Sequence, residues 1–428
     1  MFTVFHKRAF KSQYVKNFTA LAGSEVIAQL IIIGVMPFLT RIYTPVEFGQ
    51  YEFFKTTSLL LVVVGFLNYD VSVYTAKNSS ERINSILFTA LVLTCICLAS
   101  SVLLFLFNDI FVKYSGSEIK EGWFWTLPIY AFFSALTNLM MIVFTKSGSF
   151  KLLAGLKILV SIMVALTQLF FGWLGMGYWG LVYSTIIVQF IAFVIYFIPF
   201  FNEFKNCAKE CSLAEMRKIV LTNWRLPVIV FPGNFLNNLA QSLPVFFLGK
   251  MDSQILGYYG LARRVIEFPL KFVASAVQRL YVKELTDEIK NTGTGKLAYI
   301  KNLKLYGVFA VLLILGILSL TKPLLPILFG KEWEPAVPYV MILAVLFSVK
   351  FVFGGLSFVM VIGKAPKIDI VWQICFALVV AITFIICINF QIELINTMIA
   401  FVVVGIFSYV CYGMLSYHVA RSNNLLSV

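Results

Sequence analysis

Charged residues are scarce in this chain of 428 residues. They make up 13% of the sequence, whereas soluble domains average about 25%, and hydrophobic residues make up 60%. A composition so poor in charge excludes an ordinary soluble enzyme or binding domain. The sequence therefore predicts an all-α, polytopic membrane protein.

Catalytic and metal-binding residues are also few. The two histidines, His6 and His418, lie at opposite ends of the chain, and no P-loop motif occurs. The seven cysteines fall in predicted spans or in an inner loop, so no disulfide is expected. Cys207 and Cys211 share that loop, but no third metal ligand is near. We predict no enzyme activity, no cofactor, no metal site and no direct use of ATP.

A cleaved signal peptide is not expected either, because the first apolar run is too long and no small-residue cleavage site follows it. A bilayer core needs about 20 apolar residues per helix, and about twelve segments have this length. They lie near 18–40, 51–76, 84–107, 123–145, 154–173, 179–201, 226–249, 254–282, 303–322, 337–362, 368–389 and 393–418. We predict a first lobe of six helices over 1–205, a cytoplasmic linker over 206–225, and a second six-helix lobe over 226–428.

The net charge of +14 could suggest a nucleic-acid partner, but its distribution favours a membrane topology with more Lys and Arg on the cytoplasmic side. The N-terminus is basic, with Lys7, Arg8, Lys11 and Lys16. Loops predicted to face outward hold few cations: Arg41, Lys113, Lys120, Lys250, Lys322 and Lys331. We therefore expect both termini in the cytoplasm and no nucleic-acid partner.

The two halves contain similar segments. PFLTRIYTPVEFGQY (Pro37–Tyr51) ends the first span, and PVFFLGKMDSQILGYY (Pro244–Tyr259) ends the seventh. Each has a proline, an exposed turn, and a glycine shortly before a tyrosine that opens the next span. Internal repeats of this kind are typical of transporters, with the substrate site near the middle of the membrane.

The eighth span, within Ile255–Leu285, is unusually charged. A charge near the bilayer centre costs about 2.5–3.5 kcal/mol on insertion scales, so its charges should face a partner or a water-filled cavity. At 100° per residue, one face holds polar residues and the opposite face Ile266, Leu270, Val273, Val277 and Leu280. The polar face consists of Arg264, Glu267, Lys271, Ser275, Gln278 and Arg279, with Arg263 beside it.

Other spans also contain polar residues, for which two interpretations remain open. Glu25, Gln29 and Asp70 lie in the first two spans; the carboxylates suit ion coupling, but could be shallow or paired with Arg82 or Lys77. Lys55 could reach the surface, and Arg279 could be an anchor. The seventh span places Asn234, Asn237, Asn238 and Gln241 on one face, where they suit sugar hydroxyls or interhelical hydrogen bonds.

The predicted spans of the second half carry several cations far from the membrane surfaces. Glu267 could simply neutralise Arg263 or Lys271, but one carboxylate cannot balance these cations together with Arg264 and Lys350. Cations suit phosphate oxygens. We predict an anionic, sugar-bearing substrate bound by Arg263, Arg264, Lys271, Lys350, Asn234, Asn238 and Gln241, and ion coupling through Glu25, Asp70 and Glu267.

Two motifs carry a family resemblance. Phe18–Val64, and above all LTRIYTPVEFGQY (Leu39–Tyr51), resembles the start of Wzx-type polysaccharide flippases, members of the multidrug/oligosaccharidyl-lipid/polysaccharide exporter superfamily. LFGKEWEPA (Leu328–Ala336) is similar to a loop of that family. The resemblance implies two six-helix lobes around a central cavity and alternating access in the bacterial inner membrane.

The resemblance also implies a cargo and partners. The cargo would be an undecaprenyl-pyrophosphate-linked oligosaccharide, usually an O-antigen unit, moved from the cytoplasmic to the periplasmic leaflet with H⁺ or Na⁺ as the coupling ion. Membrane lipid, a polysaccharide polymerase and a chain-length regulator are the implied partners. One alternative is a drug/cation antiporter of the same superfamily, whose cavity should be acidic. Another is a membrane polysaccharide polymerase, which needs a larger outward loop.

Overall fold

A computed structural model describes residues 23–107, 122–207, 210–362 and 365–422. The described residues are 91% helical and contain no strand, which confirms the all-α prediction. Several sequence predictions fall outside the described residues: the basic N-terminus with His6, the loop with Lys113 and Lys120, and the side chains of Cys207 and Ser275.

The described residues form two compact units. The N-terminal unit ends at Phe235 and excludes Thr44–Gly49, a segment that belongs to the C-terminal unit with Leu236–Val428. The predicted lobe boundary at residues 206–225 stays a prediction.

The N-terminal unit contains eight helices with described bounds. These are α1 (Gly23–Ile42), α2 (Pro45–Phe66, whose first residues lie in the C-terminal unit), α3 (Asp70–Thr75), α4 (Ser79–Leu106), α5 (Trp123–Lys146), α6 (Phe150–Trp173), α7 (Tyr178–Cys207) and α8 (Leu213–Thr222). A π-helical turn, Leu226–Val230, follows α8. The helix α5 lies at the centre, packed against α4, α6 and α7.

The C-terminal unit contains most of α9 (Phe231–Met251) and the six helices that follow. These are α10 (Ser253–Thr292), α11 (Lys296–Phe329), α12 (Val337–Leu356), α13 (Phe358–Ile362), α14 (Pro366–Asn389) and α15 (Leu394–Arg421), with a 3₁₀ turn at Lys331–Ala336. The helix α12 packs against α10, α11 and α15. The spans built on α5 and α12 are the most buried, at 67% and 44%, and each is the fourth predicted span of its half.

Nine helices in the described part are long and apolar enough to cross a membrane, and the bent pair Leu213–Thr222 and Leu226–Met251 makes ten. The protein is thus a multi-pass membrane protein. Two further helices, α2 and α10, have sufficient length, but their polar and charged residues keep them below the hydropathy of an ordinary span. These two helices account for the difference from the predicted number of about twelve.

Two predicted spans differ in detail from the structure. The second span was expected to be continuous over 51–76, but α2 ends at Phe66 and α3 begins at Asp70. Leu67 and Asn68 between them have φ of 44° and 62°, which no apolar pattern reveals. The eighth predicted span corresponds to α10, which continues past residue 282 to Thr292. Its last part is charged and amphiphilic, and outside the membrane a helix needs no continuous apolar sequence.

The helices that begin the second predicted span of each half, α2 and α10, are both capped by side chains at their start. At the start of α2, Glu47 accepts a hydrogen bond from the Thr44 backbone N–H (2.8 Å), and Thr44 Oγ1 accepts one from the Glu47 N–H (3.3 Å). At the start of α10, Asp252 accepts from the N–H groups of Gln254 and Ile255 at 2.6 and 3.2 Å. These caps explain the turn residues of the two similar segments.

Candidate functional site

The charged helix α10 has two distinct faces in the structure. Ile266, Leu270 and Val277 of the predicted apolar face are buried inside the C-terminal unit. Leu280 was expected on the same face, but it is 55% exposed, because the buried face of the helix turns toward Tyr281 and Leu285 at that point. The cations therefore lie on the side that the packing of α10 leaves accessible.

Glu267 is the centre of an ion-pair network on α10. Its Oε1 accepts a hydrogen bond from Arg263 Nε at 2.8 Å, and its Oε2 lies 2.7 Å from Lys271 Nζ. Both pairs join residues four apart on one helix face, as the spacing allowed. The side chain of Lys271 remains 65% exposed, against 18% for Glu267. One carboxylate is thus shared by two cations.

Lys350 approaches this region from α12. Its Nζ donates a hydrogen bond to Gln241 Oε1 at 3.0 Å, and the Gln241 amide donates to Asn237 Oδ1 at 2.9 Å. This chain joins α12 to α9, so the interhelical role that the amides suggested applies to Gln241. The Lys350 ammonium also lies 5.5 Å from the centre of the Phe347 ring.

A small cavity inside the C-terminal unit brings three predicted site residues together. Its volume is about 30 Å³, and Gln241, Arg263 and Lys350 line it, as do Tyr259 and Tyr409. This volume holds one or two water molecules but not a pyrophosphate group. A larger anion would have to contact these side chains from another direction or after a change of conformation.

Arg264 has an aromatic neighbour that the sequence did not reveal. Its guanidinium lies 5.7 Å from the centre of the Phe48 ring, within cation–π range. The Phe48 ring in turn meets the edge of Trp333, which is fully buried in the 3₁₀ turn. Phe48 and Trp333 belong to the two motifs that resemble the flippase family. Their presence in these motifs was the sequence signal that could have pointed to this contact.

The remaining predicted site residues are dispersed. Asn234 and Asn238 are exposed on α9, one helical turn apart, and Asn234 falls in the N-terminal unit. Glu25 is 60% exposed and forms an ion pair with Lys157 of α6, not with Arg82 or Lys77. Asp70 is half-buried at the first residue of α3, and Tyr69 separates it from the left-handed residues Leu67 and Asn68.

The comparison of sequences identifies the family. The sequence model of a family described as "Polysaccharide biosynthesis protein" matches residues 9–338. The chain belongs to this family. No curated protein matches the sequence. The match covers both similar segments and most of the charged residues described above.

The fold is similar to that of solved transporters of the MOP superfamily, the multidrug/oligosaccharidyl-lipid/polysaccharide exporters. The chain matches "Lipid II flippase MurJ, inward closed conformation" with TM-score 0.63 and 16% identity, covering 97% of this chain and 87% of that one. An inward-facing multidrug resistance MATE transporter gives TM-score 0.61 and 12% identity, with 94% and 96% covered. A superfamily transporter from Pyrococcus furiosus gives TM-score 0.56 and 12% identity, with 94% of each chain covered. The predicted all-α fold is confirmed, and the family match agrees with the resemblance found in the sequence.

Proposed function

We propose that this protein flips an undecaprenyl-pyrophosphate-linked oligosaccharide, an O-antigen repeat unit, from the cytoplasmic to the periplasmic leaflet of the bacterial inner membrane. Both termini lie in the cytoplasm, and the protein acts by ion-coupled alternating access rather than as an enzyme. A polymerase and a chain-length regulator then use the product. Membership of a polysaccharide biosynthesis family supports the substrate class, and the fold supports transport.

One observation carries the proposal: the excess of positive charge on the accessible face of α10. Between Ser253 and Val282, Glu267 is the only carboxylate, and it is already shared by Arg263 and Lys271. Since charges are costly in a membrane, a face with this excess of cations favours an anionic ligand. The pyrophosphate of the cargo supplies that charge and accepts several charge-assisted hydrogen bonds.

The site residues have different parts in this proposal. Within the mid-membrane site, Lys271, with its exposed side chain, and Arg264 contact the pyrophosphate. Arg263 and Lys350 lie inside the C-terminal unit and make the small cavity positive, with Gln241 hydrogen-bonded to Lys350. These three residues contact the substrate when the cavity widens. The exposed amides of Asn234 and Asn238 suit the sugar hydroxyls. Of the three predicted carboxylates, Asp70 and Glu267 are the candidates for carrying the coupling ion, H⁺ or Na⁺, since Glu25 is exposed and paired with Lys157.

The test is the double variant Arg264→Gln/Lys271→Gln, which keeps hydrogen-bonding groups but removes two charges. Surface polysaccharide should be lost at normal protein level in the membrane. The matched control is Lys290→Gln/Lys296→Gln, since both lysines are exposed near the ends of α10 and α11, outside the predicted spans. Normal polysaccharide in the first variant, or equal loss in the control, would contradict the basic site.

Drug/cation antiport is the second candidate, because the fold is also similar to multidrug transporters. A cationic drug would meet Arg263, Arg264, Lys271 and Lys350, which repel it. Efflux of a cationic dye from cells or proteoliposomes separates the two functions. We expect no dye efflux, and efflux that depends on this protein would favour the antiporter.

A further inference from the structure

The C-terminal part of α10, from residue 278 onward, borders a groove. The charges of the neighbouring loops predict that this end of α10 faces the cytoplasm. The groove is about 460 Å³ in volume and is formed by α10 together with Phe358 at the start of α13. Arg279 and Lys283 line it and are exposed, and Gln278 and Thr286 add two hydrogen-bonding side chains. None of these residues is used by the mid-membrane site.

The acidic residues at this end of α10 are directed elsewhere. Glu284 accepts hydrogen bonds from Lys301 at 2.6 Å and Asn302 at 2.9 Å, both on α11. Glu288 accepts from the backbone N–H of Leu297 (2.9 Å) and of Ala298 (2.5 Å) at the start of α11. These two carboxylates therefore make their hydrogen bonds to α11, and neither of them lines the groove.

The groove itself keeps a positive balance. Its two cations, Arg279 and Lys283, face one lining carboxylate, Asp287. Val282 and the Phe358 ring supply an apolar wall next to these charges. A positive patch beside an apolar wall fits a ligand that carries phosphate at the end of a hydrocarbon chain, since phosphate suits Arg and Lys and the chain suits Phe358.

The groove also continues the basic face toward the middle of the membrane. At 1.5 Å per residue, Arg279 lies about 12 Å along the helix from Lys271, and Lys271 about 10 Å from Arg264. At 100° per residue, Gln278, Val282 and Thr286 follow the line of Arg264 and Lys271. One helix face thus offers phosphate-binding groups at successive depths.

We propose that this groove is the first docking site for the pyrophosphate of a polyprenyl-linked substrate, before the substrate reaches Arg264 and Lys271. The inference rests on the proposed function and adds a second, separate site to it. Arg279 and Lys283 bind the phosphates, Gln278 and Thr286 complete the hydrogen bonds, and Phe358 contacts the first isoprene units.

The experiment measures lipid binding by the full-length protein in phosphatidylcholine nanodiscs. The probe is undecaprenyl pyrophosphate without sugar, and the comparison lipids are undecaprenol and dioleoyl phosphatidate. Native mass spectrometry of the complexes gives apparent affinities. The variants are Arg279→Gln/Lys283→Gln and the milder Lys283→Gln, whose exposed side chain should not affect folding, with Lys290→Gln/Lys296→Gln as the control of equal charge loss.

The double groove variant should bind undecaprenyl pyrophosphate at least tenfold more weakly, the single variant should show a smaller loss in the same direction, and the control should bind as the natural protein does. Unchanged binding in the groove variants, or an equal loss in the control, would overturn the proposal. Phosphatidate binding as tight as that of the probe would assign the groove to phospholipid headgroups and overturn it as well.

The two sites can fail separately. Loss of probe binding in the groove variants, with normal surface polysaccharide in Arg264→Gln/Lys271→Gln, would keep the docking groove and reject the mid-membrane site. The opposite pair of results would reject the groove and keep the proposed function.

Discussion

Gly49 and Gly257 bring the first turn of α2 and the first turn of α10 into direct backbone contact. A Cβ atom on Gly49 would lie 1.8 Å from the carbonyl oxygen of Ser253, and one on Gly257 would lie 1.9 Å from that of Pro45. Pro45 and Ser253 open their helices, and each glycine follows four residues later. The contact is reciprocal, so the two similar segments meet each other with equivalent residues.

Replacing Gly257 by alanine should therefore destabilise the protein. The new methyl group cannot fit without separating the two helix starts, and overpacking of this kind typically costs about 1–3 kcal/mol. Gly49→Ala should have a similar effect, and the double variant should cost less than the sum of the two, because either methyl group alone already separates the helices. Thermal unfolding in detergent micelles measures all three.

Gly316→Ala is the matched control for this prediction. Gly316 lies in α11, and nothing lies within 4 Å of the position its Cβ would take. Alanine is favoured over glycine in a helix by about 1 kcal/mol, so this variant should be neutral or more stable. A loss of stability at Gly316 equal to that at Gly257 would show that the contact has no special role.

The sequence predicted the helices, their approximate bounds and the charged face of α10, because apolar length and 3.6-residue periodicity determine these features locally. It did not predict which charges meet. Phe48 is more than 200 residues from Arg264, and nothing in the local pattern relates the two. The break at Leu67 and Asn68 was equally hidden, since both residues lie in a segment whose composition fits a continuous span.

Glu267→Gln should lower stability by about 1–3 kcal/mol, since it removes the charge that two cations share. The amide keeps the shape of the side chain, so the loss reports electrostatics rather than packing. Thermal unfolding should also show coupling: Lys271→Gln should cost less in the Glu267→Gln background than in the natural protein. Equal costs in both backgrounds would show that the 2.7 Å contact with Lys271 contributes no net stability.

Asp70→Asn should weaken the response of transport to an imposed ion gradient, whereas Glu25→Gln should leave it nearly unchanged. Glu25 is largely exposed and is neutralised by Lys157, but Asp70 has no ion pair within the described residues and follows a break in the predicted span. Irregular backbone inside a span is tolerated mainly where it lines a cavity, a setting in which a carboxylate can exchange an ion.

Flipping of a fluorescent lipid-linked sugar in proteoliposomes, with H⁺ and Na⁺ gradients imposed separately, measures this difference. Both variants must first show normal unfolding temperatures. If Asp70→Asn keeps its full gradient response while Glu267→Gln loses it, coupling belongs to α10 and the assignment of Asp70 is wrong.

Glu284 should make stability depend on pH in the acidic range. It lies beyond the predicted end of the span at residue 282, and the hydrogen bond from Lys301, with a second from Asn302, lowers the pKa of its carboxyl group. A carboxylate whose pKa is lowered by folding stabilises the protein above the pKa of the unfolded chain, about 4.3 for glutamate. That contribution is lost as the pH falls through the lower pKa of the folded state.

Thermal unfolding of the natural protein and of Glu284→Gln should therefore differ at pH 7 and converge as the pH is lowered below about 4. The exposed Lys290→Gln variant should follow the natural protein across this range, and a difference between Glu284→Gln and the natural protein that stays constant down to the lowest pH would show that the ion pair with Lys301 does not contribute.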